Sequence, residues 1–393
     1  MTALKKRVLI LCADAGFGHR SASNAVAEAI RDKYDQQLEV VIINPLEEPT
    51  TPTFLCETQY DYDKWVRNVP ELYALGFEAS DRPIPTAILE RSISVLLVDT
   101  MRELFKRYQP DVVLSAYPWY QAAMSLLFTS KKYRVPQFTV VTDLATVHRM
   151  WFHKKVDACL VPNRLVADLG MGMGMPPDKL IVTGIPVSPA IGKETREKNA
   201  IRAALGWQPD VTTILAVGSK RVERLVDSLN VINHYGGNIQ VAVVCGKDKN
   251  LFDELNRFEW HIPAKVYEYS DQMPTLMKAS DLMLCKAGGL IVTESLAAGL
   301  PMLLTEIIAG QETGNADYVV DYGAGDIADS PILILERLSH LLLDNGSLLK
   351  KRAQNARALG LPQAAFSVAD LLHMAAFEPD RVFKHTRKAN KII

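Results

Sequence analysis

Short apolar runs alternate along the chain with longer segments of helical periodicity. The first run, RVLILCA (7–13), is apolar nearly throughout, which is typical of a strand buried on both faces. Similar runs form two series, of which the first continues with EVVIIN (39–44), DVVLSA (111–116) and FTVVTD (138–143), and the second comprises TTILAVGS (212–219), QVAVVCG (240–246), KVYEYS (265–270), DLMLCKAGG (281–289) and PMLLTE (301–306). Because strands that alternate with helices form parallel sheets covered on both faces, the pattern predicts an α/β fold with two doubly wound domains.

The segment between the two series has the composition of a linker. GIPVSPAIGKETREKN (184–199) contains two prolines, two glycines and dense charge. We therefore predict one domain over 1–190, a second over 191–365 and a separate C-terminal segment over 366–393. In two open parallel sheets, a ligand binds beyond the carboxyl ends of the strands, so we expect the site in a cleft between the domains.

Composition and charge exclude several classes of protein. The net charge is −1, so no overall field attracts nucleic acid. No stretch reaches the roughly 18 uncharged apolar residues of a membrane span, which predicts a soluble or peripheral protein. The cysteines lack CxxC or other metal-ligand spacing and are predicted to be buried thiols of a cytosolic protein, namely Cys12, Cys56, Cys159, Cys245 and Cys285.

A glycine turn follows the first strand in LCADAGFGHRSASNAVAEAI (11–30). The pattern predicts a helix over 21–34, capped by Ser21 or Ser23. A dinucleotide site would have a third glycine here and an acidic residue at the end of the second strand, where this chain has Asn44. Both departures disfavour binding of a nicotinamide cofactor.

His19 stands just before this predicted helix, and two interpretations remain open. A helix N-terminus favours a neutral imidazole, which is the form that a general base needs near neutral pH. Alternatively, the ring only bonds a loop carbonyl. If the first interpretation holds, we expect the ring to project from the glycine turn with little packing around it.

A second strand–glycine–helix unit, CKAGGLIVTESLAAGLP (285–301), is typical of an anion site. The free N–H groups of Gly289, Leu290 and Ile291 would face a diphosphate, since the helix dipole favours negative charge there. Glu294 lies near the start of the helix, within reach of a ribose. The alternative interpretation is a helix-surface acid in the first turns, which contributes only a few tenths of a kcal/mol.

The loop AGQETGN (309–315) follows the next strand and clusters polar side chains between two glycines. Gln311, Glu312 and Asn315 offer donors and acceptors for sugar hydroxyls. A polar glycine loop is often only a surface connection, so its position one strand beyond the diphosphate site is what favours a functional role.

In family order, these motifs resemble glycosyltransferase family 28, and within it the diacylglycerol glycosyltransferases. The resemblance is carried by DAGFGHRSASNAVAEAI, VVTDLATVHRMWFHKKVDACLVPN, VTGIPV, KAGGLIVTESLAAGLPML and AGQETGN. It implies the GT-B fold, with two facing Rossmann-like domains. It also implies inverting transfer of a hexose, galactose or glucose, from a UDP-sugar to diacylglycerol, with neither a metal nor another cofactor.

The resemblance also assigns roles to positions. It implies that the diphosphate lies against Gly288, Gly289, Leu290 and Ile291, with Glu294 on the ribose and Gln311 and Glu312 on the sugar. The remaining donor-side positions are Asn315, the turn Gly218, Ser219, Lys220 and Arg221, and the uracil-side residues Tyr269 and Ser270. On the acceptor side it implies His19 as the base, beside Gly16, Phe17, Gly18 and Asp143.

Three positions depart from the family pattern. Ile291 stands where threonine is frequent, GSKR (218–221) replaces a glycine-rich turn, and Phe17 replaces a glycine of the plant branch. Lys220 and Arg221 either compensate as phosphate partners or narrow the pocket. The identity of the sugar and the donor contacts are therefore left open.

Two segments suit a membrane surface. Residues 54–77 are rich in aromatic rings, which favour a lipid interface or, alternatively, a packed lid or a core-facing helix. The tail RVFKHTRKANKII (381–393) has five Lys or Arg residues and no acid. We expect peripheral attachment at the cytoplasmic face of a membrane, and the resemblance implies that part of 366–393 crosses back to the N-terminal domain.

Two other functions remain open from the sequence. One is transfer of N-acetylglucosamine to a polyprenyl-linked cell-wall intermediate by an enzyme of the same fold. The other is a regulator that binds a UDP-sugar without turning it over. Donor turnover with and without diacylglycerol vesicles distinguishes the three.

Overall fold

The computed structural model describes residues 5–16, 18–59, 79–131, 134–218, 222, 224–308 and 312–378. The described residues divide into two compact units. The first unit contains those up to Pro189 together with those from Gln363 onward, and the second is Ala190–Pro362. Each unit is built on one six-stranded sheet whose paired strands are all parallel. The predicted α/β class with two parallel sheets is confirmed.

The sheet of the first unit has the strand order β2-β1-β3-β4-β5-β6. Its strands are β1 (Lys6–Leu11), β2 (Leu38–Ile43), β3 (Val112–Ser115), β4 (Gln137–Val140), β5 (Ala158–Val161) and β6 (Leu180–Val182). Its helices are α1 (Gly18–Tyr34), α2 (Pro83–Tyr108), α3 (Tyr120–Lys131) and α4 (Arg164–Gly172), with short 3-10 turns at Pro45–Glu47, Arg149–Trp151 and Pro177–Lys179. Residues 53–59 are also helical.

Helices cover both faces of this sheet, which explains why β1 is apolar at every inner position. Successive side chains of a strand point to opposite faces. Val8 and Ile10 pack in a core with α1, whereas Leu9 and Leu11 pack in a second core with α2 and α3. All four side chains are fully buried.

The sheet of the second unit has the order β12-β11-β10-β7-β8-β9. Its strands are β7 (Thr212–Val217), β8 (Ile239–Val244), β9 (Ala264–Tyr267), β10 (Leu282–Lys286), β11 (Met302–Glu306) and β12 (Gly325–Ile327). The helices from Pro189 onward are α5 (Pro189–Lys193), α6 (Lys198–Leu205), α7 (Leu225–Asn233), α8 (Lys249–Arg257), α9 (Met273–Ala279), α10 (Gly289–Ala298), α11 (Thr313–Asp321) and α12 (Pro331–Leu359). Helix α12 is interrupted at 343–346, where the backbone leaves helical geometry.

The last described helix, α13 (Ala364–Phe377), belongs to the first unit and packs along α1. Its buried side chains join the core that contains Val8 and Ile10. Asp370 accepts hydrogen bonds from the Lys33 ammonium and the Tyr34 hydroxyl, each at 2.8 Å.

The predicted linker over 184–199 is wrong in part, because α5 and the start of α6 lie within it. One of its charged side chains, Lys198, is engaged in the fold together with Arg202, which lies just beyond the segment. Lys198 and Arg202 donate to the Asp281 carboxylate, at 2.6 Å and 2.5 Å. Asp281 also accepts the Thr213 backbone N–H at 2.9 Å, so this pairing anchors α6 to the sheet.

The predicted start of α1 is also wrong. The helix begins at Gly18, so Ser21 and Ser23 lie inside it and neither caps it. The Ser23 hydroxyl instead donates to the His19 carbonyl at 2.8 Å, as serines within helices do. His19 is therefore part of the first helical turn. Among the described residues, no helix is long and apolar enough to cross a membrane.

Candidate functional site

Each sheet has one point where the strand order reverses, between β1 and β3 in the first unit and between β7 and β10 in the second. The loops on either side of such a point leave in opposite directions, which opens a crevice at the carboxyl ends of the strands. The glycine turns identified from the sequence follow β1, β7 and β10.

In the first unit, three strand ends converge on the His19 ring. Gly16 has a φ of +84°, which only glycine adopts readily, and it turns the chain from β1 into α1. Nδ1 of His19 lies 2.8 Å from the Thr142 hydroxyl, just beyond β4. The Tyr117 ring, beyond β3, makes an edge contact with its centroid 5.0 Å from that of His19, and the Trp151 ring lies at 6.0 Å. The expectation of little packing around this ring is wrong.

The packed surroundings change the acid–base chemistry of His19. Although part of the residue remains accessible, burial of the ring lowers its pKa to about 4. A hydrogen bond to the backbone of Ala116 and the nearby charge of Asp14 raise the pKa and offset only part of this effect. The expected direction is found, but burial rather than the helix terminus is the leading cause. His19 is therefore neutral near pH 7. Its ring bonds the Thr142 hydroxyl and the Ala116 backbone, the second being the kind of contact that the alternative interpretation expected, and its role as a base stays a prediction.

A polar network beside His19 was not identified from the sequence. Arg20 donates two hydrogen bonds to the Asp14 carboxylate, at 2.9 Å and 2.6 Å, and these hold the pKa of Asp14 below its usual value. Asn44, at the end of β2, donates to the same carboxylate at 3.1 Å. Asn44, which occupies the position where a dinucleotide site would have an acidic residue, therefore fixes the loop that precedes His19. The signal available in the sequence was the Asp14–Arg20 pair flanking the glycine turn.

Asp143 directly follows Thr142 in the chain and contacts a residue that packs beside His19. Its carboxylate accepts a hydrogen bond from the Trp151 indole at 2.6 Å. Since Trp151 is buried and lies beside His19, Asp143 orients one wall around the imidazole. Gly18 begins the helix, and Phe17 lies outside the described residues.

In the second unit, the start of α10 lies at the reversal between β7 and β10. Gly288 is the residue before the helix and Gly289 is its first residue, so the amides of Gly289, Leu290 and Ile291 precede the intrahelical ladder. The first intrahelical bond is that from the Val292 amide to the Gly288 carbonyl, at 3.0 Å. The amides predicted to bind the diphosphate thus lie at a helix N-terminus, where free N–H groups and the helix dipole favour phosphate oxygens.

Glu294 lies one turn further along α10. Although the residue keeps part of its surface accessible, burial of the carboxyl group raises its pKa to about 7. A carboxyl group held partly desolvated is poised to accept hydrogen bonds from ligand hydroxyls. The alternative interpretation, a solvated surface acid, does not fit this environment.

The loop before α11 is tied to the glycine turn of β10 by buried polar groups. Lys286, the last residue of β10, forms an ion pair with Glu312, whose other oxygen accepts the Ile308 amide at 3.1 Å. Asn315 donates to the Ala287 carbonyl at 3.0 Å. These bonds place Glu312 and the start of α11 beside Gly288, where an added Cβ would lie 3.3 Å from the Lys286 chain and 3.4 Å from Glu312.

Lys286 is the residue that the sequence analysis missed. It directly precedes the turn Ala287, Gly288 and Gly289, and a lysine next to a predicted diphosphate site was the signal that the sequence offered. The ion pair places a cation beside the start of α10, next to the three amides assigned to a diphosphate. Both Glu312 oxygens are thus already engaged, one by Lys286 and the other by the Ile308 amide, so a contact of Glu312 with a sugar hydroxyl stays a prediction.

The remaining donor-side positions are more dispersed. Gly218 is glycine for a packing reason, because a Cβ there would lie 2.6 Å from Leu225 and 2.8 Å from Leu251. Tyr269 is exposed, with the Lys247 ammonium 4.4 Å from its ring centroid. The Ser270 hydroxyl accepts the Gln272 amide at 3.1 Å. Ser219, Lys220, Arg221 and Gln311 lie outside the described residues.

The structure therefore brings together two groups of predicted residues. His19, Gly16, Gly18 and Asp143 surround one strand-order reversal, and Gly288 to Ile291 with Glu312 and Asn315 surround the other. It shows no described contact that joins Tyr269 or Ser270 to the second group. The cleft between the units, and all of the assigned roles, stay predictions.

Two family models match most of the chain. Residues 19–187 match the monogalactosyldiacylglycerol synthase model, and residues 213–372 match the glycosyltransferase family 28 C-terminal domain. These ranges contain both groups of candidate residues from His19 onward.

Curated relatives match almost the whole chain. Monogalactosyldiacylglycerol synthase 3, chloroplastic, of Arabidopsis thaliana is 31% identical over 391 residues, which cover 96% of this chain and 83% of the relative. The probable monogalactosyldiacylglycerol synthase, chloroplastic, of Nicotiana tabacum is also 31% identical over 391 residues, covering 95% and 72%.

Among solved structures, MurG of Acinetobacter baumannii is similar with a TM-score of 0.59 at 18% identity, covering 93% of this chain and 99% of that one. At this identity the likeness shows the fold alone, which is the predicted GT-B fold.

Proposed function

Because this chain belongs to the monogalactosyldiacylglycerol synthase family of glycosyltransferases, we propose that it transfers galactose from UDP-galactose to the free hydroxyl of diacylglycerol. The observation that supports this most is the neutral, packed imidazole of His19 at the carboxyl end of β1. An alcohol acceptor needs a positioned base, and an imidazole that is neutral near pH 7 has the protonation state that a base requires.

The second unit holds the donor in this proposal. The amides at the start of α10 bind the diphosphate, and Glu294 accepts hydrogen bonds from the ribose hydroxyls. Glu312 and Gln311 bind the sugar. As the anomeric C–O bond to UDP breaks, negative charge develops on the diphosphate, where the α10 dipole and the neighbouring Lys286 cation stabilise it.

The first unit activates the acceptor. The diacylglycerol hydroxyl forms the new bond to the anomeric carbon, and its proton passes to the His19 ring. Attack from the side opposite the leaving diphosphate inverts the anomeric configuration. Thr142 fixes the ring through Nδ1, while Asp143 orients the neighbouring Trp151. The reaction balances without a cofactor, since UDP-galactose supplies both the sugar and the leaving group.

We also propose that the enzyme attaches peripherally to the cytoplasmic face of a membrane, where diacylglycerol resides. The aromatic stretch 54–77 lies mostly outside the described residues, as does the basic tail 381–393. Their roles therefore remain predictions from the sequence.

A donor and acceptor panel tests this function against its alternatives. Initial rates are measured with UDP-galactose, UDP-glucose and UDP-N-acetylglucosamine, each with diacylglycerol vesicles or a polyprenyl-linked sugar acceptor. The proposal expects the highest rate for UDP-galactose with diacylglycerol. A preference for UDP-N-acetylglucosamine with the polyprenyl acceptor would contradict it, as would tight UDP binding without turnover of any donor.

Ligand-induced stabilisation should distinguish UDP from a dinucleotide. UDP at about 100 times its Kd should raise the free energy of unfolding by about 2.7 kcal/mol, because it binds only the folded state. NAD at the same concentration should leave the Tm unchanged, since the turn after β1 lacks the dinucleotide pattern. Thermal unfolding followed by circular dichroism measures both. A rise in Tm with NAD comparable to that with UDP would contradict the donor assignment.

The pH dependence of kcat should reflect the low pKa of His19. Since the base must be neutral and its pKa is about 4, kcat should stay nearly constant from pH 7 down to about 5 and fall only below that. The free energy of unfolding should also fall as the pH is lowered. Between about pH 6.5 and 4 the unfolded chain takes up a proton that the folded chain does not, so the contribution of His19 to stability is lost as the pH falls. An acid limb of kcat centred near pH 6.5 would contradict the packed environment.

A further inference from the structure

A small cavity lies at the carboxyl edge of the second unit's sheet, between the starts of α7 and α12. Its volume is about 170 Å³, and its wall includes Thr305 of β11, Arg224 before α7 and Ser330 before α12. Among the described residues, none that lines it belongs to α10 or to the glycine turn before that helix. The cavity is therefore separate from the diphosphate site of the proposed function.

The Thr305 hydroxyl is a buried polar group in the wall of this cavity. Thr305 lies two positions after Leu303 in β11, so its side chain points to the sheet face that α7 and α12 cover. The residue is 1% exposed, and its Oγ1 has no hydrogen-bond partner among the described residues. Leaving a buried hydroxyl unpaired costs free energy, whereas a molecule that bonds to it within the cavity removes that cost. The hydroxyl therefore points to an occupant of the cavity.

Hydrogen bonds within the fold hold the two helix starts on either side of the cavity. Arg224 donates from Nη1 to the Asp329 carbonyl at 2.8 Å, which joins the residue before α7 to the loop before α12. The Arg224 carbonyl accepts the Ser228 amide at 3.0 Å and the Ser228 hydroxyl at 2.8 Å. Ser330 caps α12 by accepting the Leu333 amide at 3.4 Å. The cavity is thus a built feature of the folded unit.

The groups around the cavity suit a neutral ligand with several hydroxyls. Asp227 and Asp329 supply two carboxylates against the guanidinium of Arg224, so the charge disfavours an anion although two helices begin here. Carboxylates accept and a guanidinium donates, which matches sugar hydroxyls because each of these both donates and accepts. Pro331 and Ile334 add an apolar wall, against which the C–H face of a sugar ring can pack.

The size of the cavity limits the ligand further. Sites for ligands of drug size usually have volumes of roughly 300–1,000 Å³. At about 170 Å³, this cavity is too small to enclose a whole nucleotide sugar. A single monosaccharide unit is the class of ligand that fits both its size and its chemistry.

We propose that this cavity is a second carbohydrate site, which binds one neutral hexose unit in the second unit of the protein. The inference goes beyond the proposed function, in which the second unit binds only the sugar of the UDP-galactose donor. A free hexose and the galactosyl headgroup of a lipid product offer the same chemistry. Methyl β-galactoside reproduces the headgroup without its lipid, so it serves as the probe.

The test measures binding of methyl β-galactoside to the full chain. Saturation-transfer difference NMR follows the methyl resonance of the probe, with UDP-galactose in excess and no lipid acceptor, so that the donor site is already occupied. We expect binding with a millimolar Kd under these conditions. Competition with free galactose then separates the two sources of the ligand. Displacement by galactose supports a site for a hexose in either form, and binding that galactose does not displace supports a site for the glycosidic headgroup.

Thr305→Val removes the hydroxyl while nearly keeping the shape of the side chain. It should weaken binding of the probe about two- to tenfold, which corresponds to the loss of one hydrogen bond between neutral groups. The matched control is Thr139→Val in β4 of the first unit, because Thr139 is also fully buried and its Oγ1 also lacks a partner among the described residues. The control should bind the probe as the unmodified protein does. Circular dichroism should show similar Tm values for the two variants, since each loses an unpaired buried hydroxyl.

A second variant, Asp227→Ala, removes a carboxylate acceptor and should weaken binding at least about tenfold. Equal binding by Thr305→Val and the unmodified protein would overturn the proposal, as would an equal loss in Thr139→Val. Absence of binding by the unmodified protein would overturn it by leaving only water in the cavity. Displacement of the probe by further UDP-galactose would assign its binding to the donor site instead, and displacement by inorganic phosphate at equal concentration would make the cavity an anion site.

Galactose transfer separates this proposal from the proposed function. Because Thr305 belongs to neither group of candidate donor and acceptor residues, Thr305→Val should transfer galactose to diacylglycerol as fast as the unmodified protein. Loss of transfer in Thr305→Val with unchanged probe binding would overturn the proposal by making the cavity part of the donor site. Probe binding that depends on Thr305, without galactose transfer by the unmodified protein, would refute the function and leave the second carbohydrate site standing.

Discussion

Replacing His19 with alanine should lower kcat by about 10²- to 10⁴-fold, which is the usual contribution of a general base. The substitution removes the imidazole that is proposed to take the proton of the diacylglycerol hydroxyl. The affinity for UDP should stay nearly unchanged, because the diphosphate and ribose contacts belong to α10 of the second unit. Steady-state kinetics with diacylglycerol vesicles give kcat and KM, and titration calorimetry gives the Kd for UDP.

A matched control is His234→Ala. This histidine follows α7, and its ring bonds the Asn230 carbonyl at 2.9 Å, so kcat should be unchanged. If His19→Ala retains kcat and only raises the KM for diacylglycerol, His19 positions the acceptor and is not the base. Asp143→Asn would then be the next variant to measure, since Asp143 lies on the same side of the sheet and carries a carboxylate.

Replacing Glu294 with alanine should weaken UDP binding by about 10- to 100-fold and pyrophosphate binding by less than about twofold. Hydrogen bonds to a charged group contribute about 1.5–3 kcal/mol, and about 1.4 kcal/mol corresponds to tenfold in affinity. The carboxyl group serves ribose hydroxyls and not phosphates, so only the ligand that contains a ribose should be affected. Burial, which raises the pKa of this carboxyl group to about 7, already desolvates it before any ligand binds.

The control for this experiment is Glu336→Ala, an exposed acid on α12 that should change neither affinity. Glu294→Gln keeps an acceptor oxygen and should weaken UDP less than Glu294→Ala does. Equal weakening of UDP and pyrophosphate by Glu294→Ala would show that the residue supports the helix terminus as a whole, and the ribose assignment would be wrong.

Much of the fold was predictable because its strands are buried on both faces. The run in β1 is apolar at every inner position since two cores contact it, one beside α1 and one beside α2. The strands that were not predicted are β5, β6 and β12, and the last two have only three residues each. So few residues carry no periodicity that distinguishes a strand, and β6 is in addition partly exposed at the edge of its sheet.

The candidate site was predictable where it depends on local backbone geometry. Two glycine turns and a helix start at Gly289 follow from residues adjacent in the chain. The environment of His19 was not predictable, because Tyr117 and Thr142 come from loops about a hundred positions away and their approach is set by the strand order. The same holds for the ion pair of Lys286 with Glu312, which depends on the pairing of β10 with β11.

Mass spectrometry of the lipid product tests the central claim most directly. The purified protein is incubated with UDP-galactose and diacylglycerol vesicles, and both the lipid and the aqueous fractions are analysed. We expect a lipid whose mass exceeds that of diacylglycerol by one hexose residue, formed with release of UDP and absent when diacylglycerol is omitted. Free galactose released at the same rate with or without diacylglycerol, with no glycolipid formed, would contradict it.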